Sequence, residues 1–112
     1  MKKITKDTDA YGAELMAIHR GETDVEIIER DDGYIEAADG RAAYFGDASQ
    51  WPDSERTALG FLRGRVLDIG AGAGRHAVFA QQHGLRVTAI DNSPLAVRVA
   101  RLRGVKDARV LP

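Results

Sequence analysis

No cysteine occurs in the 112 residues, which removes disulfides and thiolate chemistry and fits a cytoplasmic setting. No apolar run reaches the ~18 residues of a membrane span. The opening MKKITKDTD is basic but leads into no hydrophobic stretch, so it does not read as a signal peptide. His19, His76 and His83 show no metal-site spacing, and no metal is expected. The arginines lack interleaved aromatics, which counts against a single-strand nucleic-acid groove. No internal repeat, low-complexity tract or linker interrupts the chain, and its length argues for one domain.

What is present is uneven. Residues 1–60 carry 14 acidic against 7 basic side chains, and residues 61–112 carry 3 against 9. Solvated helix faces are the plain account of this. Complementarity between the halves, or with a partner, is the alternative, and nucleic acid is disfavoured.

In the acidic half, Tyr11, Leu15 and Ile18 fall on one helical stripe within residues 8–20. Asp7, Thr8 or Asp9 is placed to cap that helix and Gly21 to end it. A short strand follows near Val25–Glu29, with turn signals at Asp32-Gly33 and Asp39-Gly40, giving a hairpin or an irregular acidic segment. Trp51-Pro52 opens a helix running to about Leu62, with Ala58, Leu59 and Leu62 as its buried face.

From residue 64 the pattern alternates. VLDI is a strand and Arg75 to His83 a helix with Val78 and Phe79 as core candidates. RVTAI is the second strand. Ser93 caps a further helix with Pro94 at its first position and an apolar stripe of Leu95, Val99 and Leu102. Ala108 to Leu111 begins a third strand. This is a βαβαβ unit of an α/β protein: part of a doubly wound, Rossmann-like parallel sheet behind a helical or irregular N-terminal extension. The expected division is 1–63 and 64–112.

Between the first strand and its helix stands DIGAGAG, residues 68–74. Gly70 permits the tight turn, Gly72 lets a ligand approach the backbone, and Gly74 allows close packing at the helix start. No lysine follows, so a nucleoside-triphosphate loop is excluded. A dinucleotide fingerprint needs its third glycine where Arg75 stands. Asp68 would repel a pyrophosphate, but it can bond the turn or stabilise a cationic ligand group. Asp91, at the end of the second strand, can accept from two ribose hydroxyls, with Asn92 and Ser93 on the adenine side. These residues favour a positively charged nucleoside over a polyphosphate.

The stretch VLDIGAGAGRHAVFAQQHGLRVTAIDNSPLAVRVA resembles the first half of a class I S-adenosylmethionine-dependent methyltransferase, most strongly over residues 64–111. DGYIEAADGRAAYF and WPDSERTAL look like the N-terminal extension of a bacterial subgroup of these proteins. The resemblance implies a seven-stranded sheet that binds S-adenosylmethionine over its C-terminal strand ends. Gly70, Ala71, Gly72 and Gly74 would cradle the methionine part, Asp68 would lie near its amino group, and Asp91 would hold the ribose. Arg75 could reach the cofactor carboxylate. His76 is a helix-surface group rather than a base, and no catalytic residue is assigned. Of the aromatics Tyr11, Tyr34, Tyr44, Phe45 and Trp51, some would form a cover over cofactor or substrate; simple packing against the sheet is the plainer alternative.

The family strand order also implies an open edge at the first strand. The chain is therefore expected to be a truncated piece, or to pair with a second copy, and to be inactive alone. A small-molecule acceptor is favoured over protein, and no membrane partner is expected. A non-catalytic nucleotide-binding or interaction module and an NAD-type oxidoreductase half-domain are the rival readings.

Overall fold

A computed structural model of the chain describes residues 3–112. After a 3-10 turn at Lys6–Thr8, helix α1 spans Ala10–His19. Of the candidate caps, Asp9 fills the role, its Oδ1 accepting from the Gly12 N–H at 2.9 Å. Strands β1 (Val25–Glu29) and β2 (Ile35–Asp39) form an antiparallel hairpin, with Val25 opposite Asp39 and Glu29 opposite Ile35. Asp32-Gly33 makes the turn, with Gly33 at φ 85° and Asp32 Oδ1 accepting from the Tyr34 N–H.

Asp39-Gly40 departs from expectation. Asp39 caps α2 (Gly40–Phe45) by accepting from the Ala42 N–H, so the pair opens a helix rather than a turn. Gly40 is buried there, and a Cβ would come within 2.8 Å of Ile18 Cδ1. Helix α3 is also shorter than expected, Asp53–Leu59. Trp51 lies ahead of it and is buried, its indole N–H donating to the Gly46 carbonyl at 2.8 Å. Ala58 faces solvent, while Leu59 and Leu62 are half-buried.

Strands β3 (Arg65–Ile69), β4 (Arg86–Asp91) and β5 (Ala108–Val110) form a parallel sheet in the order β3-β4-β5. Leu67 pairs with Thr88 and Ile90 with Arg109. Helices α4 (Arg75–Gln82) and α5 (Pro94–Leu102) are the crossovers. Two right-handed crossovers running the same way along a sheet place their helices on one face. Accordingly Val87, Ala89 and Ala108 are buried against Ala77, Ala80, Val97 and Ala100. On the opposite face Leu67 and Ile69 remain exposed, at 58% and 73%.

The α1 stripe holds at Leu15 and Ile18, both fully buried, but in α4 and α5 mostly small residues fill the interfaces and Val99 is the one stripe residue fully buried. In α4 the buried positions are Ala77 and Ala80, while Val78 and Phe79 are only half-buried. In α5 they are Ala96, Val97, Val99 and Ala100, whereas Leu102 is exposed. The reason is that α5 is covered on two sides. Val97 and Ala100 meet the sheet, and Ala96 and Val99 pack with Leu15 and Met16 of α1. A single-face stripe cannot describe a helix packed twice. No helix among the described residues is long and apolar enough to cross a membrane.

One carboxylate joins the acidic half to the sheet. Besides capping α1, Asp9 accepts from Ser93 Oγ at 2.7 and 2.8 Å and from the Leu95 N–H at 2.9 Å. Ser93 Oγ in turn accepts from the Ala96 N–H at 3.0 Å and caps α5. Both residues are buried. Asp9→Ala removes a cap and leaves buried donors without partners. We expect it to lower unfolding stability by about 2–4 kcal/mol, read from the urea midpoint.

Candidate functional site

The C-terminal end of β3 turns at Gly70, Gly72 and Gly74, with φ of 71°, 55° and 80°. All three are in the left-handed region, which side chains disfavour. Gly74 has a second reason to be glycine: a Cβ would stand 2.8 Å from Val105 Cγ2 and 3.2 Å from the Ala100 Cβ. At Gly72 the close neighbour comes from α1, since a Cβ would lie 2.7 Å from the Tyr11 hydroxyl oxygen. Around Gly70, apart from its chain neighbours, nothing among the described residues lies within 4 Å of that position, so this side of the loop is open.

Asp91 holds the loop. Its Oδ2 accepts from the Gly72 N–H and its Oδ1 from the Ser93 N–H, both at 2.9 Å. Asp68 differs from it sharply. Its Oδ2 is buried and has no hydrogen-bond partner. Burial pushes its carboxyl above the usual carboxylate range, the nearby His76 opposes that, and the negative charge of Asp91 adds to it.

Asp68, Gly70, Ala71, Ala73, Arg75 and His76 line a cleft of about 180 Å³, closed on its far side by Tyr11 and Tyr44. Those two rings meet edge-to-face with centroids 5.6 Å apart. Tyr44 donates from its hydroxyl to Glu26 Oε1 at 2.7 Å, and burial followed by that bond raises its pKa. Tyr11 is pushed up to about 12, first by burial and then by the charges of Asp91, Glu26 and Glu14.

Arg75 and His76, which follow the loop, are both engaged by Glu55 of α3. Arg75 Nη1 lies 3.0 Å from Glu55 Oε2, its Nη2 donates to Oε1 at 3.1 Å, and His76 Nε2 lies 3.0 Å from Oε2. His76 first, then Arg75, hold the Glu55 carboxyl below its usual range. Trp51 seals this corner, edge-on to His76 with centroids 5.1 Å apart and under the Arg75 guanidinium at 5.3 Å. The Arg75 side chain is thus tied to the N-terminal half rather than free to reach outward.

Of the residues singled out from sequence, Asp68, Gly70, Ala71 and Arg75 meet at the cleft, with Gly72 and Asp91 directly behind it. Asn92 is exposed at the end of β4. Ser93 is buried and its hydroxyl is committed to Asp9 and to the α5 cap. Sequence reasoning missed Glu55 and the specific pairing of Tyr11 and Tyr44. No local signal connects residues so far apart in the chain.

Residues 67–111 match the family described as a methyltransferase domain. The chain is also similar to a solved structure, a SAM-dependent methyltransferase from Bacteroides fragilis in complex with S-adenosyl-L-homocysteine. Identity is 35%, the match covers 98% of this chain and 46% of that one, and the TM-score is 0.80. The chain thus spans about half the length of that methyltransferase. No curated protein matches it. Because the match to the solved structure covers 98% of the chain, it takes in the N-terminal half as well as the methyltransferase-domain segment.

The Glu55 cluster has a pH signature. A carboxyl held below its unfolded value contributes stability that is present above that value, ~4.3, and is lost as pH falls through the folded value. We expect Glu55→Gln to lower the urea midpoint at pH 7, and the gap from the unmodified protein to close below about pH 4.

Proposed function

We propose that this chain supplies one wall of an S-adenosylmethionine site and serves methyl transfer to a small-molecule acceptor. The observation that carries this reading is the buried, unpartnered oxygen of Asp68 beside an open glycine loop. A buried carboxylate without a partner is costly unless a ligand supplies the missing donor or counter-charge. A polyphosphate cannot do that, whereas an α-ammonium or a sulfonium can. The donor set therefore fits this cofactor, and the S-adenosyl-L-homocysteine held by the Bacteroides fragilis methyltransferase supports the choice. When bound, the cofactor supplies a methyl group already activated on sulfur.

In this reading Asp68 pairs with the ammonium, and the Gly70–Gly74 backbone lies along the methionine part. Asp91 keeps lone pairs for ribose hydroxyls beyond its two backbone bonds. Residues 1–63 cover this site and residues 64–112 form the first half of the cofactor domain. The protein's work is orientation and exclusion of water, since the displacement itself needs an in-line approach more than an acid or base.

Titration calorimetry with S-adenosylmethionine, S-adenosylhomocysteine and NAD tests this. Both adenosyl ligands are expected to bind and NAD is not; NAD binding alone would favour an oxidoreductase. Asp68→Asn is expected to weaken S-adenosylmethionine at least tenfold. Its sign on stability is opposite: a raised carboxyl pKa means the charge disfavours folding above pH ~4, so the variant should melt higher without ligand.

The same reading has no turnover by these 112 residues alone, because among the described residues nothing covers the exposed face of β3 or pairs with its outer edge. For the chain in isolation we propose a second copy as the occupant of that face. Sedimentation should give a concentration-dependent mass above the monomer. A monomer at all concentrations, or normal turnover, would refute the corresponding part.

A further inference from the structure

The excess of acid in the N-terminal half is confined to one element. Residues 22–39, the β1–β2 hairpin with its flanks, hold eight acidic side chains against Arg30 alone, and the rest of residues 1–60 hold six of each sign. Strand alternation sorts the hairpin into two faces. Glu26 and Ala38 are half-buried on the inner face, where Glu26 is bonded to Tyr44. Val25, Ile27, Ile35 and Ala37 form the outward face, with Ile27 63% and Ile35 61% exposed. Among the described residues neither strand has a neighbour on its outer edge.

An apolar face framed by carboxylates selects its partner. A second hairpin of the same charge is repelled, as is nucleic acid or an anionic lipid surface. The complement is a surface apolar at its centre and basic at its margin, and the bare face of the parallel sheet has that form. Val66 and Val87 pack on the helix side, so Arg65, Leu67 and Ile69 of β3 and Arg86 of β4 lie on the other. Arg65 and Arg86 are register partners, two like charges side by side. Neither joins an ion pair among the described residues. With Lys106 and Arg109 they surround a hollow of about 570 Å³, where Asp107, bonded to Arg109, is the one acid. Like charges in register oppose each other, and an acidic surface laid over them relieves that.

We propose that when copies of this chain associate, the acidic hairpin of one lies on the bare sheet face of the other. The contact sets Val25, Ile27 and Ile35 against Leu67 and Ile69, and the hairpin carboxylates against Arg65 and Arg86. Each copy carries one hairpin and one sheet face, so a two-fold axis makes the contact twice and closes a dimer. This rests on the second-copy reading of the β3 face given above and names the element that covers it. The cofactor reading is independent of it.

Sedimentation of the full chain tests the contact, and the sign of its salt dependence is the first readout. Raising salt from about 0.05 to about 0.5 M should weaken the dimer about tenfold, because the framing charges are exposed and screened. Two sheet faces stacked on each other would present arginines to arginines and bind more tightly in salt, so a dimer unmoved or tightened overturns the proposal. Charge reversal is the second readout. Glu29→Lys with Asp31→Lys in the hairpin, and separately Arg65→Glu with Arg86→Glu in the sheet, should each give a monomer where the unmodified chain is a dimer. An equal mixture of the two variants should restore the dimer, since both contacts then join opposite charges, and misfolded chains would not recover in this way. A hairpin variant that dimerises like the unmodified chain, or a mixture that stays monomeric, overturns the hairpin contact and leaves a second copy on the β3 face. An unmodified chain that is monomeric at every concentration overturns both.

Discussion

Two aspartates, 82 residues apart, carry the architecture of the site. Asp91 bonds the Gly72 and Ser93 N–H groups, so the glycine loop after β3 is locked to the end of β4. Asp9 bonds Ser93, Leu95 and Gly12, so the N-terminus of α1 is locked to the N-terminus of α5. Ser93 is common to both. Through it, the position of Tyr11, two residues beyond Asp9, is coupled to the position of the loop it touches. Buried charge-assisted bonds of this kind specify geometry because leaving any one unmade is expensive.

The cleft follows from that tie. With α1 pinned, Tyr11 falls against Gly72, and Tyr44 of α2 completes the wall. The corner beyond is held by Trp51 and Glu55, which engage Arg75 and His76. Asp68 is left as the one buried side-chain oxygen without a partner among the described residues. A buried oxygen left without a donor is costly. Such unsatisfied groups concentrate at functional sites.

The α/β unit was legible residue by residue. VLDI and RVTAI read as the strands that became β3 and β4, and Ser93-Pro94 marked the start of α5. The N-terminal half was less legible. Asp39-Gly40 carries the same pair of residues as a turn, but the neighbouring Ile18 makes it a buried helix start. The α5 stripe misled because α1 adds a second buried face that the helix's own periodicity cannot announce.

By itself the sequence determined which backbone conformations the chain could adopt: left-handed turns at glycines, capped helix starts, and strands of alternating burial. It also determined that a carboxylate would stand ahead of a glycine loop, because both features are local. Only the tertiary structure decided what each carboxylate does. Asp91 became a brace, Asp9 a tie, Glu55 a clamp on Arg75 and His76, and Asp68 the open group. The four have the same chemistry. They differ in which donors the fold brings within about 3 Å, and those donors come from segments that the chain order does not place together.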